Sequence, residues 1–167
     1  MSNTFAYPIS PAPRTAVLVA WFRAARLPGG PVRVFPDGWN PEAAAFAPAA
    51  VAGTFEQIRA LAPIPIPSLT HALIVLARPG ARRLTENDRE SLWRDFRLPV
   101  FEQIIGPLGD LLAAECEAHD GLHVEGSDPF LGRETIDTSP CPCGRRTPRI
   151  GVARGAEHEH RVAAYAR

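Results

Sequence analysis

The sequence predicts an α/β protein: an open, mainly parallel sheet with flanking helices, followed by a small antiparallel region. Three observations carry this. Short apolar runs alternate with helical stretches through the first two thirds of the chain. One run, Leu69-Thr-His-Ala-Leu-Ile-Val-Leu-Ala77, is apolar throughout its second half, as a strand covered on both faces requires. Beyond Gly106 the helical patterns stop, and short strand patterns follow one another with turn residues between.

The elements follow in order. Residues 1–14 are proline-rich and polar and predict a loose arm. Thr15 to Trp21 is a short apolar run and reads as a buried strand. Phe22 to Leu27 suits one or two helical turns before a Leu-Pro-Gly-Gly break. Pro31 to Phe35 alternates as a second strand. Asn40 predicts an N-cap with Pro41 at the first helical position, and alanine-rich helix follows to about Ala47. Pro48 breaks it, and a second helix is expected from about Thr54 to Leu61. The prolines from Pro63 to Pro67 exclude helix, and Pro79-Gly80 ends the strong strand after Leu69. Thr85 caps a third helix to about Phe96, with Asp88 completing a weak capping box and Leu92, Trp93 and Phe96 on one side. Pro99 to Ile105 is another strand. Leu111 to Cys116, Gly121 to Glu125, Glu134 to Thr138 and Arg149 to Ala153 then read as short strands. This divides the chain into an arm (1–14), an α/β subdomain (15–110), an antiparallel region (111–154) and a tail (155–167).

Composition excludes several function classes. The 167 residues carry no formal net charge, so there is no electrostatic footprint for nucleic acid or for an anionic membrane. No apolar run approaches a bilayer span. The first residues lack the pattern of a signal peptide, so a cytoplasmic location is the expectation. All 18 basic residues are arginine, and this polypeptide can supply no Schiff-base, phosphate-loop or acid/base lysine.

The three cysteines define the candidate site. Cys116 and His119 form C-x2-H, and Cys141 and Cys143 form C-x-C. Three thiolates and an imidazole in two clusters are what a closed tetrahedral zinc site requires, so these four are the expected ligands and structural Zn2+ the expected cofactor. An odd number of cysteines in a reducing compartment fits metal better than a disulfide framework. His123 competes for the histidine position. Glu115, Glu117 and Asp120 surround the first pair, either orienting the histidine or simply solvated. Arg145, Arg146 and Arg149 beside the second pair could take an anion or pair with local acids. Trp21, Trp39 and Trp93 read as packing residues.

Three stretches carry a resemblance: Leu98-Pro-Val-Phe-Glu-Gln103, Ala114-Glu-Cys-Glu-Ala-His-Asp-Gly-Leu-His-Val124 and Cys141-Pro-Cys-Gly-Arg-Arg-Thr-Pro-Arg-Ile150. In that order and spacing the chain resembles phenylacetate–coenzyme A ligases, a branch of the adenylate-forming acyl-CoA synthetases. Ala77 to Thr85 and the helix after it are similar to the preceding strand and helix of that subdomain. The convincing part covers roughly a third of the chain. The resemblance implies a structural zinc site at Cys116, His119, Cys141 and Cys143, and makes His123 a strand residue that points elsewhere.

The resemblance also implies contacts that this chain lacks. The family's strand matching Pro99 to Gln103 runs into a tyrosine-glycine turn, a hydroxyl residue and a glutamate, which hold the adenylate and magnesium. Here the chain reads Gln103-Ile-Ile-Gly-Pro-Leu-Gly-Asp110, with isoleucine where tyrosine belongs and Asp110 as the nearest carboxylate. The phosphate loop, the ribose-binding aspartate and the domain that brings a catalytic lysine have no counterpart in these residues. The expectation is a non-catalytic, zinc-stabilised module that binds a partner protein, a second copy of itself, or a small acyl or aryl ligand. The alternative is one subunit of a split acyl-CoA or aryl-CoA ligase that another chain completes.

Overall fold

A computed structural model describes residues 14–21, 32–126 and 134–151. The expected arm (apart from Arg14), the helical turns at 22–27, the tail and the last residues of the 149–153 strand lie outside the described residues.

One nine-stranded mixed sheet organises the chain. Its strands are β1 (Thr15–Val17), β2 (Val32–Val34), β3 (Ala50–Gly53), β4 (Ala72–Ala77), β5 (Val100–Ile105), β6 (Leu111–Glu115), β7 (Leu122–Val124), β8 (Ile136–Asp137) and β9 (Arg149–Ile150). Their spatial order is β2-β1-β3-β4-β5-β6-β7-β9-β8. The first five pair in parallel and the last four antiparallel. Hydrogen bonding is continuous across residues 110 and 111, where the sequence predicts a boundary. The expected parallel strands come first and the antiparallel strands follow, but all of them belong to one mixed sheet. A five-residue turn joins β5 to β6, and a hairpin that short can only add an antiparallel strand.

Three short helices accompany the sheet among the described residues. They are α1 (Pro41–Ala45), α2 (Phe55–Arg59) and α3 (Glu86–Phe96). Each begins where a side chain satisfies a free backbone N–H. The Asn40 side chain accepts from Ala43 N–H at 3.0 Å. Thr54 with Gln57, and Thr85 with Asp88, form complete capping boxes. Arg97 ends α3 in the left-handed conformation, two residues before Pro99.

The connections β2–β3, β3–β4 and β4–β5 all move the same way across the sheet. Right-handed crossovers then put all three helices on one face. Ala43, Ile58 and Leu92 accordingly share a core with Leu73, Val75 and Val100. Val17, Ala52, Ile74, Leu76 and Ile105 form a second core on the other face. β4 is buried at all six positions, as its unbroken apolar run predicts.

Two local expectations change. The sequence reading places no strand between α1 and α2, yet Ala50–Gly53 is β3, fully buried between β1 and β4. Small residues with little strand propensity form it because both neighbours supply hydrogen-bond partners. Trp39 and Trp21 pack against the two cores, whereas Trp93 is 49% exposed. No helix among the described residues is long and apolar enough to cross a membrane.

Candidate metal centre

The β6–β7 hairpin and the loop before β9 bring four donor atoms together. Cys116 follows the last residue of β6, and His123 is the central residue of β7. Ala114 pairs with His123 across the hairpin. Side chains alternate along a strand, so Cys116, two residues beyond Ala114, shares a face with His123. Cys141 and Cys143 come from the loop between β8 and β9. That loop turns tightly: Gly144 N–H donates to Cys141 O at 2.9 Å, and Gly144 has φ +85°. The ligand atoms of Cys116, His123, Cys141 and Cys143 all lie within 4.8 Å of one another, a group able to hold a metal ion.

The contacts inside the group are specific. The Cys116 and Cys141 sulfurs are 3.7 Å apart. Cys143 Sγ is 3.3 Å from His123 Nε2. His123 Nδ1 faces Thr147, 2.7 Å from its hydroxyl and 3.3 Å from its carbonyl oxygen. A proton on Nδ1 satisfies that carbonyl and leaves the Nε2 lone pair directed at the thiols, the arrangement a metal-binding imidazole needs.

His119, the histidine expected from C-x2-H, is elsewhere. Its backbone N–H closes a turn on Cys116 O at 3.0 Å, with φ +50°. Its ring stacks on Phe101 with centroids 5.0 Å apart, and Nδ1 lies 3.0 Å from the Glu115 carboxylate. The geometry therefore sets His123, not His119, beside the three thiols. The C-x2-H spacing and the resemblance both favoured His119; the expectation that His123 points elsewhere is corrected, because its strand face turns it to the thiols.

Burial shifts Cys116 and His123. Desolvation is the main reason the Cys116 thiol is pushed up to about 12. Desolvation also lowers the pKa of His123, which keeps the imidazole neutral and able to donate its lone pair. For Cys143 burial acts upward, but the Arg145 backbone N–H and the neighbouring thiols outweigh it and lower the pKa.

Two ion networks frame the centre. Arg149 is 2% exposed and donates to the Asp120 carboxylate and carbonyl, to Asp137 at 3.2 Å and to Ser139 at 3.1 Å. It ties the loops on either side of the thiols to β9. Arg145 pairs with Glu125 at 3.0 Å. Two of the three arginines read as a basic cluster are thus paired with local acids. Glu115 lies against His119 and also takes the Arg89 guanidinium at 3.0 Å and the Glu102 N–H at 2.8 Å.

A cavity of about 310 Å³ lies at the carboxyl ends of the parallel strands. Val75, Leu76, Ala77, Phe55 and Leu84 line its apolar side. Arg78, Arg82 and Arg83 line the cavity as well, together with Glu56 and Glu102. Arg78 stacks over the Trp21 ring at 4.9 Å, Arg82 pairs with Asp88 at 2.7 Å, and Arg83 pairs with Glu102 at 2.9 Å. The turn after β5 is closed by Gly106 N–H donating to Asp110 O at 2.7 Å. It presents Leu108, 80% exposed, where the resemblance expects adenylate contacts.

No family model matches the chain, and no curated protein matches it in sequence. Solved structures do match. An open conformation of 2-hydroxyisobutyryl-CoA ligase, in complex with 2-HIB-AMP and CoA, superposes with a TM-score of 0.56 at 16% identity, over 85% of this chain and 44% of the ligase. The same ligase in its postadenylation state gives a TM-score of 0.49 at 17% identity, over 83% of this chain and 42% of the ligase. The chain spans less than half the length of that ligase. At this identity the likeness is one of fold: the mixed sheet and its helices are similar to part of an acyl-CoA ligase.

Proposed function

We propose that the chain is a zinc-stabilised, non-catalytic module derived from a coenzyme A ligase subdomain of the phenylacetate branch, and that it acts by binding. The spacing of Cys116 and Cys141 carries the metal reading. Two sulfurs each about 2.3 Å from a tetrahedral zinc ion stand about 3.8 Å apart, and these two are 3.7 Å apart. Cys116, Cys141, Cys143 and His123 would fill all four positions, so the bound ion would supply a cross-link and no site for water. The cross-link would join β6, β7 and the loop before β9. Reducing cytoplasm would keep the thiols available to it.

The missing chemistry supports a binding role. The turn after β5 offers neither a hydroxyl nor a glutamate to an adenylate, and the chain has no lysine. The cavity at the carboxyl ends of the strands is where open α/β sheets take ligands, and its apolar floor and arginine-rich wall suit a small acyl or aryl acid. Half-exposed Trp93 and exposed Leu108 suit a second copy or a partner protein.

A split ligase is the second reading. It is favoured by coverage: the chain matches 44% of an acyl-CoA ligase, and in this reading a second polypeptide brings the rest. One experiment separates the two. The purified chain is assayed for metal content and for ATP–pyrophosphate exchange, alone and with candidate second polypeptides. One zinc per chain with background exchange throughout supports the binding module. Exchange that appears only on mixing supports the split ligase, and exchange by the chain alone overturns both.

A further inference from the structure

We propose that the thiol group is a peroxide-responsive latch: oxidation begins at Cys143, ends as a Cys116–Cys143 disulfide and releases the metal. The inference rests on the metal reading above and adds a regulation to the same site.

Access selects the first sulfur. Cys116 and Cys141 are 2% and 4% exposed, whereas Cys143 is only half-buried. An oxidant in solvent therefore meets Cys143 first. Proximity selects the second. All the donor atoms lie within 4.8 Å, and a disulfide needs its sulfurs about 2.05 Å apart, a gap that side-chain rotation in a surface loop can close. Cys141 lies within the same 4.8 Å but is separated from Cys143 only by Pro142, so that bridge closes a small ring around a fixed φ. Cys116 lies on a separate segment, so its bridge closes no such small ring.

The chemistry balances with hydrogen peroxide as the oxidant. The Cys143 thiolate attacks one peroxide oxygen, the O–O bond breaks, and hydroxide leaves and takes a proton to become water. This forms a sulfenic acid at Cys143. The Cys116 sulfur, a thiolate while the metal holds it and otherwise giving up its thiol proton in the step, then attacks the Cys143 sulfur, the S–O bond breaks, and the second hydroxide leaves as water. Two thiolates lose two electrons, one peroxide gains them, and two protons are consumed. Cys141 and His123 alone remain for the metal, too few to hold it. The disulfide keeps the loop before β9 tied to the end of β6 while the His123 side of the knot opens.

The test uses the full chain loaded with zinc and titrated with hydrogen peroxide. Zinc release is followed with a chromogenic chelator, and the bridge is mapped by peptide mass spectrometry. Expected are one zinc released per peroxide consumed, a Cys116–Cys143 link, and recovery on adding dithiothreitol and zinc. Cys143→Ser should slow oxidation by at least about tenfold. Should that variant not hold zinc, the metal-free wild type and variant are compared. The link must still form in the first and be absent from the second. Zinc retained under excess peroxide, a bridge through Cys141, or release with sulfinic acid and no bridge each overturns the latch. A wild type that binds no zinc but still forms the Cys116–Cys143 link on peroxide treatment rejects the metal reading while leaving the oxidation chemistry intact.

Discussion

Glu115 and Glu102 face each other across β5 and β6, and the Glu115 carboxylate accepts the Glu102 backbone N–H at 2.8 Å. The same Glu115 oxygen takes Arg89 of α3 at 3.0 Å, while the other oxygen lies 3.0 Å from His119 Nδ1. Next in sequence, Cys116 sends its sulfur to the thiol group. Adjacent residues point to opposite faces of a strand, so one strand end anchors an ion network and the candidate metal centre together.

The two histidines should separate cleanly. His123→Ala should remove most of the bound zinc and lower the thermal midpoint, because the ion's binding free energy contributes to folding. His119→Ala should retain one zinc per chain. Elemental analysis of the two purified variants checks this, and the reverse pattern would return the ligand role to His119.

Zinc binding should release protons. The Cys116 thiol, pushed up to about 12 by burial, carries its proton at neutral pH without metal and loses it to become a ligand. Affinity should therefore rise with pH across the neutral range. Calorimetry in buffers of different ionisation enthalpy should show at least one proton released per zinc; a pH-independent affinity contradicts this.

Removing the Glu115 carboxylate should be costly. Glu115→Ala leaves Arg89 without its short ion pair and leaves a buried Glu102 N–H without an acceptor. A loss of roughly 3 kcal/mol is expected from urea unfolding of the metal-loaded protein. A loss under about 1 kcal/mol would show that solvent or Glu102 compensates.

The α3 cap should give an acid-dependent contribution. The hydrogen bond from Arg82, then that from the Thr85 N–H, holds the Asp88 carboxyl well below the usual carboxylate range. A depressed folded-state pKa contributes stability above the unfolded value, about 3.9, and loses it as pH falls through the folded value. Asp88→Asn should remove this contribution, so wild type and variant should converge in stability as pH drops below about 4. Thr85→Ala should cost about 1 kcal/mol at neutral pH. Denaturant titrations at several pH values test both.

Much of the fold was legible in the chain because local rules sufficed. Thr85 with Asp88, and Asn40 with Pro41, mark helix starts through side chains that satisfy the first free N–H groups. The unbroken apolar run after His71 marks β4, and Pro99 marks where α3 must have ended. β3 was not legible: Ala50-Val-Ala-Gly53 carries little strand propensity and is a strand only because β1 and β4 lie on either side.

The site divides in the same way. The sequence by itself supplied the candidate ligands, since the three cysteines of the chain all lie in the last third with histidines nearby, and these residues include no lysine. Which imidazole joins the thiols was decided by tertiary structure. Spacing favours His119, four residues from Glu115, but that carboxylate and the Phe101 ring hold it outside the group. His123 enters because pairing with Ala114 in the hairpin fixes its face, and Thr147 from a distant loop fixes its ring. Strand alternation hints at the face of His123, but the pairing that fixes it and the Thr147 contact, 24 residues away, exist only in the folded chain.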